Sequence, residues 1–188
     1  MRIIGGNYKG TKIFLPQDNS TRPLKDLVRQ SIFNILEHSK LESVNLKKSY
    51  VLDLFSGIGS FGLECISRGV KKVCFVENYE PSIKILNKNI EKLNCKINTN
   101  VFGGDVSQIE KIDYILNKKF NLIYLDPPFK EKYICKIIEK IHKLKLLQPK
   151  GLIIIHRHKK TNDRFINKFK ILRTEKYGAS KIIFAKFI

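Results

Sequence analysis

The stretch Val51-Leu52-Asp53-Leu54-Phe55-Ser56-Gly57-Ile58-Gly59-Ser60-Phe61-Gly62-Leu63-Glu64 decides the fold. A short apolar run enters a glycine-rich turn and then a helix, the pattern of a strand delivering backbone N–H groups to a ligand at a helix N-terminus. Gly57, Gly59 and Gly62 satisfy G-x-G-x-x-G, and Glu77 lies twenty residues after Gly57, closing the run Val73-Cys74-Phe75-Val76. A carboxylate there can grip two ribose hydroxyls. Asp105, after Val101-Phe102-Gly103-Gly104, is a third candidate carboxylate. The pattern fits either a dinucleotide or S-adenosylmethionine, because both present an adenosine at the carboxyl edge of a parallel sheet. The glycines alone do not choose.

Outward from this turn, strands and helices alternate. Strands are expected at 50–55, 72–77, 98–103, 120–126 and 151–156, with helices from Ser60, after Pro81, near 107–116 and over 130–147. A hairpin of 169–177 and 181–187, turning at Gly178-Ala179-Ser180, ends the chain. Such alternation predicts an α/β fold with a seven-stranded, mostly parallel sheet whose last strand is antiparallel. The expected organisation is an N-terminal extension over 1–49, made of a hairpin and a helix, and a main domain over 50–188.

The run Leu122-Ile123-Tyr124-Leu125 ends in Asp126-Pro127-Pro128-Phe129. Two prolines fix φ and donate no N–H, so this turn offers hydrogen-bond acceptors and a rigidly aimed ring. That combination suits a planar base with an exocyclic amine: Asp126 and the Pro127 carbonyl hold the amino hydrogens, and Phe129 stacks on the base. An ordinary strand-to-loop turn is the plainer reading of the tetrapeptide alone.

The formal charge of +19, from 36 basic and 17 acidic residues, points to a polyanionic partner. Only seven of the basic residues are arginine and the chain is rich in Ile, Asn and Lys, so part of the excess reflects composition. Position says more. Residues 3–13 read as a short hairpin with basic residues interleaved with Tyr8, a candidate RNA-contact arm. After Arg22-Pro23, Leu24, Leu27, Val28, Ile32, Ile35 and Leu36 recur at helical spacing and predict an amphipathic helix ending before Ser39.

A length of 188 residues with 43% hydrophobic content suffices for one real core. The chain has neither a membrane-length apolar run nor an apolar leader after Met1, so a cytoplasmic protein is expected. Cys65, Cys74, Cys95 and Cys135 lack C-x-x-C spacing and read as reduced packing residues. His38, His142, His156 and His158 show no metal-ligand spacing and are expected at the surface; no metal is called for.

With these motifs in place, the chain resembles the class I S-adenosylmethionine-dependent methyltransferases, Asp53, Gly57 and Gly59 matching their first-strand pattern and Asp126-Pro127-Pro128-Phe129 the motif of those that methylate exocyclic amines of bases. Arg2-Ile3-Ile4-Gly5-Gly6, Lys9-Gly10, Thr21-Arg22-Pro23, Asp26, Val28-Arg29 and Phe33-Asn34 resemble the start of the bacterial 16S ribosomal RNA guanine-966 N2-methyltransferase family. The resemblance implies a Rossmann-like fold and methyl transfer from S-adenosylmethionine to guanine N2 in small-subunit RNA. Its implied sites are Asp126, Pro127, Pro128 and Phe129 for catalysis; Asp53, Phe55, Gly57, Gly59, Glu77 and Asp105 for the cofactor; and Arg2, Lys9, Lys12, Arg22 and Arg29 for RNA. It further implies a monomer whose partner is 16S ribosomal RNA or a small-subunit assembly intermediate. Three positions depart from the pattern: Lys25 replaces a small hydroxyl residue, Gln30 a glutamate, and His156-Arg157-His158 an acidic residue at the strand end. An adenine-N6 or DNA amino-methyltransferase would share the Asp-Pro-Pro-Phe motif. A nicotinamide-dependent dehydrogenase would share the glycine turn, and a noncatalytic ribosome-assembly factor the charge.

Overall fold

The continuous apolar runs 73–76 and 122–125 demand strands covered on both faces. They form interior strands of the sheet in a computed structural model that describes residues 1–16, 26–39, 41 and 44–188. In chain order the elements are α1 (Asp26–His38), β1 (Tyr50–Leu54), α2 (Ser60–Ser67), β2 (Lys72–Glu77), α3 (Glu80–Lys92), β3 (Thr99–Gly103), α4 (Asp113–Leu116), β4 (Phe120–Leu125), α5 (Ile134–Lys143), β5 (Leu147–His158), β6 (Phe169–Tyr177) and β7 (Ser180–Phe187). The seven strands lie in the order β3-β2-β1-β4-β5-β7-β6. Pairing is parallel from β3 through β5, and β7 runs antiparallel to both its neighbours. The expected sheet and its reversed last strand are both present.

Side chains alternate across the sheet and build two cores. Val51, Val73, Phe75, Leu122, Tyr124, Leu152 and Ile154 face a core shared with α1, α2 and α3, whereas Leu52, Leu54, Cys74, Val76, Ile123, Leu125, Ile153 and Ile155 face one shared with α5. Two expected helices are shorter than predicted. The segment 107–116 divides into a 3-10 stretch, Val106–Lys111, and the single turn α4, because Gln108 leaves helical φ/ψ and the Asp105 carboxylate takes the Ser107 N–H. In α5 the helix stops before Lys145, whose φ is +51°.

The N-terminal arm is a hairpin in outline. Arg2 and Lys12 form one antiparallel bridge, Ile3 donates to Thr11 and Gly10 to Ile3, and a 3-10 turn spans Gly6–Tyr8. A longer ladder does not form, because the neighbouring amides are engaged by α2: Ile4 and Gly5 donate to the Glu64 carboxylate at 2.8 and 2.8 Å, and Tyr8 to Ser67 Oγ at 2.9 Å. Gly6 is required here, since a Cβ would lie 1.9 Å from the Ser67 carbonyl oxygen. Ile3 and Ile13 enter the core while Arg2, Lys9 and Lys12 stay exposed.

Helix α1 buries Val28, Ile32, Ile35 and Leu36 as its spacing predicts, but also Phe33 and Arg29, while Leu27 is 70% exposed. Leu24 lies outside the described residues. Phe33 stacks on Phe61, which stacks on Tyr124 at 3.9 Å, so α1 reaches the central strand through three rings.

Candidate active site at the carboxyl edge of the sheet

In the β2-β1-β4 register Leu54 lies beside both Val76 and Leu125, so Glu77, Phe55 and Asp126 leave the sheet at one level. Adjacent strands are about 4.8 Å apart, which puts the backbones of Glu77 and Asp126 roughly 10 Å from each other with β1 between them. The two halves of this edge are built differently.

The β1–β2 half is a local turn tied down by carboxylates. Gly57 and Gly59 have φ of +54° and +82°. The third glycine serves packing: a Cβ on Gly62 would lie 2.2 Å from the Phe75 ring. A Cβ on Gly57 would meet nothing within 4 Å, so the turn faces open space there. Asp53 Oδ2 accepts from the Gly62 N–H at 3.0 Å, while its Oδ1 is buried with no hydrogen-bond partner. Burial holds this carboxyl well above the usual carboxylate range, with the nearby charges of Asp126 and Glu77 adding to the effect and the Gly62 N–H opposing it. Glu77 accepts from Gly57 N–H at 2.7 Å and from the Asn78 and Tyr79 N–H groups at 3.0 and 2.9 Å. A carboxylate offers about four acceptor directions, so roughly one remains for a ligand. Phe55, at φ +59°, is half-buried, and Asp105 is exposed, accepting from Ser107 N–H at 2.7 Å. An orphaned buried oxygen, clustered carboxylates and open space over Gly57 fit a ligand bearing positive charge and hydroxyl donors.

The β4 half is held by side chains from distant strands. Asp126 accepts from Tyr124 O–H at 3.2 Å through Oδ2, and its Oδ1 lies 2.7 Å from His156 Nδ1. Burial, reinforced by Asp126 and Asp53, pushes the Tyr124 hydroxyl well above its usual range, so it stays protonated and donates. Pro127 is buried, Pro128 exposed, and the Phe129 ring packs edge-on against His156 and His158. Arg157 pins the following loop through the Glu131 carbonyl at 2.9 Å and a paired contact with Asp163.

His156 corrects one expectation: at 7% exposure it is interior, because both ring nitrogens have partners. Arg29 corrects another. It is fully buried, paired with Asp26 at 2.9 Å and Glu64 at 3.7 Å, and donates to the Arg2 carbonyl, so its guanidinium braces the arm from within and is not offered to phosphate. Arg22 lies outside the described residues. The cysteines behave as packing groups: burial pushes Cys74 up to about 12 and Cys95 up to about 11.

A family described as conserved hypothetical protein 95 matches residues 1–186. The chain belongs to that family. Ribosomal RNA small subunit methyltransferase D of Buchnera aphidicola subsp. Baizongia pistaciae is 32% identical over 162 residues, covering 86% of this chain and 78% of the relative. Among solved structures, yhhF from Escherichia coli superposes with a TM-score of 0.81 at 24% identity, covering 100% of this chain and 97% of that one. SMU.776, complexed with SAH, gives a TM-score of 0.62 at 17% identity over 84% of this chain and 48% of that one. At these identities the structures speak to the fold, which is the expected Rossmann-like class I methyltransferase fold. Among the described residues no helix is long and apolar enough to cross a membrane.

Proposed function

We propose that this chain transfers a methyl group from S-adenosylmethionine to the exocyclic N2 of a guanine in small-subunit ribosomal RNA, with guanine 966 as the target. The observation that carries the reading is the shared edge: an acceptor-only turn at Asp126 stands one strand away from a glycine turn backed by Asp53 and Glu77. The small-subunit methyltransferase relative supports the substrate class.

Bound S-adenosylmethionine supplies an electrophilic methyl group on a sulfonium centre. Glu77 and the Gly57–Gly59 turn would hold its adenosine, with Asp53, Phe55 and Asp105 as the other residues that would contact the cofactor. Asp126 and the Pro127 carbonyl accept the two amino hydrogens of guanine, which orients the nitrogen lone pair for attack, and the cationic nitrogen formed by alkylation gives up one of these protons to the Asp126 carboxylate. Phe129 stacks on the base, which must be unpaired or flipped to enter. Arg2, Lys9 and Lys12 meet the phosphates, and the edge-on packing of Phe129 fixes the direction of approach.

Purified protein incubated with small-subunit RNA and labelled cofactor tests this, followed by mass spectrometry of digested nucleosides. N2-methylguanosine at one site is expected. N6-methyladenosine would shift the substrate to adenine. RNA binding without methyl incorporation would leave a noncatalytic assembly factor.

A further inference from the structure

The Asp126 carboxylate belongs to a chain of side chains that crosses three strands. In the parallel β4–β5 register Leu125 pairs with Ile155, which sets the next residues, Asp126 and His156, abreast at the sheet edge. His156 Nδ1 lies 2.7 Å from Asp126 Oδ1, and its Nε2 lies 2.8 Å from Ser180 Oγ. Ser180 opens β7 and pairs with His158 across the antiparallel ladder, one diagonal step from His156. His156 is 7% and Ser180 6% exposed, whereas the Asp126 side chain keeps 22% of its surface open. The two anchors are interior and the anchored group faces out.

The direction of the bonds follows from chemistry. An ionised carboxylate only accepts, so Nδ1 carries the proton toward Asp126 whether the imidazole is neutral or charged. In the neutral ring Nε2 then accepts from the Ser180 hydroxyl. The order Asp-His-Ser is that of a hydrolytic triad, but the buried Ser180 hydroxyl is an anchor here and meets no substrate. With Tyr124 donating to Oδ2, each Asp126 oxygen receives one internal donor and retains one free lone pair. The same imidazole touches the second working part of the clamp: the Phe129 ring stands edge-on to it, with centroids 5.6 Å apart at 85°.

We propose that His156, anchored by Ser180, is a positioning residue for methyl transfer, fixing the Asp126 carboxylate and the Phe129 ring in one relative geometry before the base arrives. The role rests on the reading of Asp126 as an amine clamp. Its physical basis is the soft terminal torsion of aspartate, which the single 3.2 Å contact from Tyr124 to Oδ2 leaves room to turn until the 2.7 Å His156 contact holds Oδ1 as well. A carboxylate that wanders in orientation presents its acceptors to the amine for only part of the time. Alignment, more than binding, should therefore suffer when the donor is lost.

Three substitutions separate the two ends of the ring. In His156→Asn the amide nitrogen occupies the place of Nδ1 and keeps a donor toward Asp126; in His156→Gln it occupies the place of Nε2 and keeps only the Ser180 side. His156→Phe keeps neither. Single-turnover transfer to small-subunit RNA should slow about 10–100-fold in the Gln and Phe variants, the size expected for a hydrogen bond to a charged group. Calorimetric affinity for S-adenosylhomocysteine should stay unchanged, and the Asn variant should recover to within about threefold of the parent. Equal slowing in Asn and Gln, or a Phe variant at the parental rate, overturns the proposal. A measurement on the unsubstituted protein needs no turnover: 15N imidazole spectra should show His156 protonated at Nδ1, and a neutral ring protonated at Nε2 alone would contradict it. Parental protein that methylates no RNA defeats the clamp itself, and the His156 role with it. Parental activity matched by His156→Phe defeats the His156 role alone.

Discussion

The two halves of the sheet edge reach a similar end by opposite means. Around Gly57 the site is made of backbone: Glu77 accepts three main-chain N–H groups and Asp53 a fourth, all from residues near in sequence or in the turn that follows the adjoining strand. Around Asp126 it is made of side chains: Tyr124, His156 and Ser180, the last two coming from β5 and β7. Main-chain donors survive substitution wherever the backbone path is kept, although the glycines that set that path cannot themselves gain a side chain freely. Side-chain donors are lost with the residue. The difference separates where the molecule should hold a cofactor from where it should discriminate a reacting group.

The largest test of that contrast is Asp126→Ala. It should lower the single-turnover rate by about 10²–10⁴-fold with cofactor affinity nearly intact, the signature of an interaction realised in the transition state. Matched losses in rate and in S-adenosylhomocysteine affinity would merge the two halves into one binding site. Next comes Glu77→Gln, which keeps one acceptor oxygen but loses the charge. Cofactor affinity by calorimetry should weaken about 10–100-fold while transfer at saturating cofactor changes little. Unchanged affinity would remove Glu77 from the cofactor site.

A smaller effect is expected on the arm, where exposed Lys9 and Lys12 contrast with buried Arg29. Lys9→Ala and Lys12→Ala should each weaken RNA binding about 3–10-fold and flatten the log-affinity against log-salt slope by about 0.7 per lost phosphate contact. Unaltered slopes would assign the charge of the arm to composition.

The smallest effect concerns Asp53. Its carboxyl is raised by burial, so between the unfolded value of about 3.9 and the higher folded value the native state binds the extra proton. Asp53 therefore favours the fold at low pH and loses that contribution as pH rises through the folded value. Urea titrations from pH 4 to 8 should show the stability of the parent falling relative to Asp53→Asn as pH rises. A constant difference would mean the carboxyl is not raised.

What could be read in the chain itself were the features with local causes. Strand β2 runs over Lys72–Glu77 as its apolar run predicts, and the glycine spacing located the turn, because period, turn chemistry and propensity act within a few residues. Tyr124 was also within reach, being two residues before Asp126 and so on the same face of the strand. The limits appear at Arg29 and His156. Arg29 is implied as an RNA contact by the resemblance, yet Glu64, far along the chain, and the Arg2 carbonyl engage it in the interior. His156 reads as a surface histidine where an acid was expected. Its partners are 30 residues before and 24 residues after it. Only the reversal of β7 against β5 brings Ser180 to the imidazole, since an antiparallel strand pairs residues by register and not by separation along the chain. The sequence alone thus determined the succession of strands along the chain and the two motifs. The sheet decided which polar side chains meet, because a buried donor or acceptor must find its partner wherever the fold supplies one.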